Sequence, residues 1–233
     1  MKKQLLFTLF LMAFISFTLN AQVKCGIKIG ADFSTLQFRD NGTIMNDSAE
    51  FKGITSPRLG FFLEVPFTDE FFLNAGFEGA IKGYSFESIR EKNNEWVPSQ
   101  EKALLLAVNF PIMAGYKYDL GSAKLFGMLG PVIGINTYAT NLYKAGGKWD
   151  NSHMFIGEWT LESGESPMAY FKRMDMLVRL EAGIEVHRFQ FSASYTQGLS
   201  DLQDIEDGSV TSRIIGLNAA IKFGSMGKKG RWR

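Results

Sequence analysis

Charged residues recur at even spacing in several stretches of this 233-residue chain, and they are the first candidates for chemistry. Arg179, Glu181 and Glu185 fall on one side of the alternating run "MDMLVRLEAGIEV", and Lys28, Glu64, Glu78 and Lys82 hold the polar phase of other runs. Charges aligned in this way could pass a proton or an ion, or they could pair with one another as a buried plug, because a buried charge needs a partner. The plug is favoured, since the interior of a small barrel is only wide enough for side chains. His153 and His187 are the only histidines, one in the longest polar link and one in a two-residue link at the opposite end, which argues against a shared metal site. "WDNSHMF" brings together Asp150, Ser152 and His153, the residue types of a hydrolase triad, but a triad depends on spatial roles rather than on adjacency. "DLQDIEDG" offers Asp201, Asp204, Glu206 and Asp207 to calcium or to cation-bridged lipopolysaccharide, yet its spacing misses the calcium-loop pattern and reads as a solvated loop. No catalytic residue, cofactor or metal ligand is therefore proposed from the sequence.

The elements that would position these charges are strands of period two. Eight such segments run over residues 23–34, 57–67, 71–86, 103–118, 123–138, 174–186, 189–197 and 212–223. Short links ("TDE", "DLGS", "HR") alternate with long polar ones (35–56, 87–102, 139–173 and 198–211), as in transmembrane barrels with tight turns at one end and longer loops at the other. One face carries Ile27, Ile29, Phe33, Leu59, Phe61, Leu63, Leu180, Leu217 and Ile221, and the other carries the charges together with many glycines. Glycine leaves room for long side chains in a narrow interior. Aromatic residues cluster near the short links (Phe67, Phe71, Phe72, Tyr116, Tyr118, Phe189, Phe223) and near the long ones (Phe33, Tyr84, Phe86, Tyr138, Tyr195), which suggests two interfacial girdles. "KALLLAVNFPIMAGYKY" and "LFGMLGPVIGINTY" are apolar on both faces and would line a dry side of the interior. The glycines of "GMLGPVIG" lack the spacing of a dinucleotide fingerprint and read as strand curvature.

The opening "MKKQLLFTLFLMAFISFTLNAQ" has two lysines, an apolar stretch and Ala21, and reads as a secretory signal peptide cleaved after residue 21. Removing Lys2 and Lys3 takes the net charge from +1 to −1, and the four cations of the tail leave a body of about −5, which disfavours nucleic acid as a partner. Cys25 is the only cysteine, so stability must come from packing and backbone pairing. The expected organisation is a signal peptide (1–21), a barrel domain (22–224) and a basic tail (225–233). The expected fold is all-β, an eight-stranded antiparallel up-and-down transmembrane β-barrel with long extracellular loops, whose first partner is the lipid bilayer of the bacterial outer membrane.

Several stretches resemble the PorT-like outer-membrane β-barrel family of Bacteroidota. "CGIKIGADFSTL" is similar to the family's first strand, and "LNAGFEGAIKGYSF" matches its pattern of Gly76 followed by Lys82 and Gly83. A hairpin motif is echoed at Pro111, Lys117, Gly130, Pro131 and Gly134, and the closing motif at Asp175, Gly183, Glu185, Tyr195, Gly198 and Leu199. An acidic residue usual before the family's Ile-Pro is absent, with Val108 and Asn109 preceding Phe110-Pro111. The resemblance implies an outer-membrane location, an eight-stranded barrel and a scaffold without assigned activity in most members. For the founding member it implies a link to protein secretion, and hence an envelope or secretion-machinery protein as partner. Two rival readings stand beside this one: an exported, soluble lipocalin-like barrel binding an apolar ligand, and a small outer-membrane lipid-modifying enzyme using the long loop.

Overall fold

The structure is a computed structural model and describes residues 23–40, 43–44, 52–92, 95–145, 148–156, 170–203 and 208–224. The segment read as a signal peptide (1–21), the basic tail (225–233), Asp204, Glu206 and Asp207 lie outside them. The strands are β1 (Lys24–Asp40), β2 (Thr43–Ile44), β3 (Lys52–Pro66), β4 (Phe71–Lys92), β5 (Glu95–Asp119), β6 (Lys124–Ala145), β7 (Lys148–Ile156), β8 (Tyr170–Phe171), β9 (Met174–Val186), β10 (Phe189–Gly198) and β11 (Gly208–Phe223). Eight of them form a ring in chain order, β1, β3, β4, β5, β6, β9, β10 and β11, with every neighbour antiparallel. β11 closes back on β1 from Cys25 opposite Phe223 to Asp40 opposite Gly208. The remaining three, β2, β7 and β8, decorate the end that carries the long links.

Register is fixed by the alternation itself, since a slip of one residue would turn every apolar side chain to the wrong face. Leu59, Leu180 and Leu217 stand outward, 62%, 55% and 67% exposed, while Lys82, Arg179 and Glu181 point inward at 0–1%. Apolar side chains outside and charges inside are opposite to what a soluble lipocalin-like barrel needs, and that rival reading is overturned. Tight turns close the other end. Thr68 Oγ1 accepts hydrogen bonds from the N–H groups of Glu70 and Phe71, Asp119 Oδ1 accepts one from Gly121, and His187 takes a φ of 56° in the two-residue turn before Arg188.

The strands run further than the apolar pattern indicates. The 87–102 link, read as a polar connection, is paired strand: β4 and β5 pair from Phe71 opposite Tyr116 to Lys92 opposite Glu95. Likewise β6 continues to Ala145 and turns back as β7, with Ala145 opposite Lys148 and Gly146-Gly147 outside the described residues. Polar residues on both faces hide the period of two where the hairpins leave the apolar band. Phase also corrects the girdles: Phe72 and Tyr84 point inward and are buried, and Phe86 packs against the inner core.

One irregularity shapes the wall. β3 carries one extra residue against β4 between Gly53 and Arg58, where Pro57 has no N–H to give to a ladder. The hydroxyls of two serines bond to the backbone of β4 here: Ser56 Oγ donates to Ile81 O (2.7 Å), and Ser34 Oγ accepts from the N–H of Gly83 (3.1 Å). Gly83 must be glycine, because a Cβ would collide with the carbonyl of Ala103 on β5.

Candidate functional site

The interior is a stack of three charged tiers, built by inward positions of alternate phase. Nearest the short turns, Lys117 Nζ lies 2.6 Å from Glu64 and 3.1 Å from Glu185, and Lys222 Nζ lies 2.6 Å from each of the same two carboxylates. The four corners come from β5, β3, β9 and β11, every second strand of the ring, so the square spans the lumen. Lys24 reaches its edge, 3.9 Å from Glu64, and Gln190 donates to Glu185.

The middle tier holds six charges. Lys28 lies 3.0 Å from Glu181 and 3.9 Å from Glu78, while Arg179 lies 2.6 Å from Glu78 and donates through Nε to Thr196. Arg58 faces Asp32 (3.1 Å) and Glu78 (3.5 Å) and donates to Ser194 and to Asn218 Oδ1. Above it, Lys82 and Asp175 form a single pair at 2.7 Å, and Asp175 also accepts from Ser200 and Ser212. Apart from the part-exposed Lys24 at the rim, cations and carboxylates balance within each tier: two and two, three and three, one and one. Burying charge is costly unless it is paired, and the tiers meet that demand without a counter-ion.

Two aromatic rings line the lower lumen. Phe62 lies over Gly26 on β1, and Phe72 over Gly115 on β5, where a Cβ would strike the ring. Lys28 then sits 5.7 Å above the first ring and Lys117 4.5 Å above the second, within cation–π range. Phe72 also joins Met113, Phe126 and Met128 in an apolar patch on the β5–β6 side of the lumen.

Above the tiers the lumen turns apolar. Leu36, Phe38, Tyr84, Leu105, Phe171 and Leu202 belong to one buried cluster at the outer mouth. Phe171 comes from β8 and Leu202 from the link between β10 and β11; the Lys172 N–H donates to Leu202 O, and the Leu202 N–H donates to Val210 O. The outer links thus fold into the mouth as a cap.

Lys28, Glu64, Glu78, Lys82, Arg179, Glu181 and Glu185 are all buried inside, and the structure ties them to five further charges, Asp32, Arg58, Lys117, Asp175 and Lys222. The alternation already puts Asp32, Arg58 and Lys222 on the charged face with Lys28, Glu64 and Asn218, and spacing could also have found Asp175, an even step of four residues from Arg179. Lys117 gave no such signal. Asp150 is exposed on β7, where it accepts from the Tyr143 hydroxyl, and the side chains of Ser152 and His153 lie outside the described residues. Asp201 Oδ1 accepts from the N–H groups of Gln203 and Val210 and so holds its own loop. Among the described residues no three His, Cys, Asp or Glu side chains are grouped to hold a metal ion.

A ring of eight strands, apolar outside and charge-balanced inside, with short turns at one end, is the architecture of a small transmembrane barrel. Residues 13–204 match the model of the family described as outer membrane protein beta-barrel domain. The chain belongs to this family. It is an outer-membrane protein: the bilayer meets the outward band of Ile, Leu and Phe side chains, and the long hairpins face outward from the cell. Similar solved structures include Ail of Yersinia pestis in complex with the heparin analogue sucrose octasulfate, at 14% identity over 87% of this chain and 99% of that one with a TM-score of 0.37. OprG from Pseudomonas aeruginosa is 10% identical over 88% and 97% with a TM-score of 0.36, and the Neisserial surface protein A is 10% identical over 84% and 97% with a TM-score of 0.35. Comparison with curated proteins gives no match.

Proposed function

We propose that this outer-membrane barrel is a non-enzymatic structural and interaction module that serves protein secretion or envelope assembly through its outer hairpins. The observation that carries this reading is where the space is used: three neutral tiers and an apolar cap fill the lumen, whereas β4–β5 and β6–β7 project as paired hairpins beyond it. A filled interior offers no room to a substrate, and long loops on a rigid scaffold are where recognition is usually placed. The resemblance to PorT-like barrels supports an envelope or secretion-machinery protein as the partner.

The test is deletion of residues 144–164, which removes β7 and leaves the ring of eight strands. The expected result is an intact barrel that no longer cross-links to its envelope partner in cells. Unchanged cross-linking and secretion in the deletion strain would sink the proposal for this hairpin.

A further inference from the structure

We propose that the wall at the fork where β6 leaves β9 for β7 binds a phosphorylated lipid of the outer leaflet. β6 pairs with β9 as far as Ile135 opposite Met174, and with β7 from Ala139 opposite Met154 onward. Between these points Asn136 fixes the chain entering β9, its backbone N–H donating to Arg173 O (2.8 Å) and its Nδ2 to Lys172 O (2.7 Å). The wedge that opens is a cleft of about 460 Å³, lined by Ile135, Ala139, Met154 and Ile156 together with Tyr138 and Arg173.

Charge identifies the occupant. Each lumen cation described above is paired, but Arg173 is exposed and makes no ion pair among the described residues. It stands one residue beyond Met174, the last outward apolar residue of β9, and shares the cleft with Ile135, the outward residue paired with Met174 on β6. That is the height at which the apolar band ends and head groups begin, and exposed Tyr138 marks the same level. A guanidinium presents a planar fork that matches phosphate oxygens two at a time. The apolar floor beneath it, where Ala139, Met154 and Ile156 pack on the buried cluster of the outer mouth, meets the lipid-facing band at Ile135 and suits an acyl chain, so the anion arrives as part of a lipid. The side-chain amide oxygen Oδ1 of Asn136, buried in the lining and without a hydrogen-bond partner among the described residues, is an acceptor for a lipid hydroxyl or amide once the fork opens slightly.

The experiment uses the mature full-length chain in phosphatidylcholine nanodiscs doped with diphosphoryl lipid A or with the same lipid stripped of phosphate, read by native mass spectrometry of retained lipid. Wild type should retain the phosphorylated form about 10-fold better, the gain expected of one charge-assisted phosphate contact. Arg173→Ala should abolish the preference, Arg173→Lys should keep part of it, and Arg213→Ala, an exposed cation two strands away, should leave it unchanged. Faster migration of the unheated protein on a gel confirms that each variant has formed its barrel. If Arg173→Ala fails to form one, Met154→Glu, which places a carboxylate in the cleft, decides instead by losing the preference. Equal retention of both lipids by wild type overturns the proposal, as does an undiminished preference in Arg173→Ala or in Met154→Glu. Loss of the preference in Arg213→Ala overturns it too, by showing a diffuse basic rim.

Discussion

Arg179 of β9 and Glu78 of β4 meet 2.6 Å apart across the lumen, although two other strands separate theirs in the ring. Lys28 to Glu181 and Lys82 to Asp175 make the same kind of crossing. Hydrogen bonds of the sheet link only adjacent strands, so these pairs are what hold opposite walls at a set distance. Removing one partner leaves a buried charge, which costs more than the pair itself contributes.

Leu180 sits outward near the middle of β9, opposite Leu129 on β6. Leu180→Arg should cost about 2–4 kcal/mol of folding free energy, the penalty of a cation near the bilayer midplane. Arg179→Leu, one residue away, should act through the lumen instead, leaving the middle tier one positive charge short. Urea titration of refolding into vesicles separates the two, because only the outward variant should become milder in thinner bilayers.

The Lys82–Asp175 pair is the simplest tier and suits a double-mutant cycle. Lys82→Met alone should destabilise by about 3–5 kcal/mol, because Asp175 stays buried without its cation. Adding Asp175→Leu should recover most of that loss, short of the bonds from Ser200 and Ser212. A double variant no more stable than Lys82→Met would show that the pair is not coupled.

The lumen should carry no measurable current in a planar bilayer at neutral pH, since eight strands leave only side-chain width and the outer mouth is capped. Leu202→Gly with Phe171→Gly should loosen the cap without opening a conducting path, as the charged tiers lie beneath it. Stepwise openings in wild type would refute a filled interior.

The protein should need detergent for extraction from membranes and should migrate faster unheated than boiled, because a closed ring has no sheet edge at which unfolding can begin. Release by an osmotic wash would contradict the outward apolar face.

Much of this was readable wherever one face was apolar and the other charged. Arg179, Glu181 and Glu185 announce their side of β9 because Val178, Leu180 and Ile184 alternate with them. The same logic fails on β5, where Ala107, Met113 and Gly115 point inward beside outward Ile112 and Tyr116, so that Lys117 looks like an isolated charge at a strand end. It fails again above the bilayer, where the β4–β5 hairpin is polar on both faces and its pairing leaves no hydrophobic period. Phe72 and Tyr84 were misplaced by composition alone; their phase, shared with Asn74 and Lys82 on β4, already points them inward. The ion-pair partners of each cation were not legible at all, since they come from strands as much as 158 residues apart, as Lys222 and Glu64 do.

The seam between β1 and β11 joins the first of the described strands to the last. Until β11 is in place, any smaller piece of the sheet exposes two raw margins of unsatisfied amides, and the neighbouring contacts within it cannot hide them. Closure is therefore a single event, and the sheet has no protected margin until β11 meets β1.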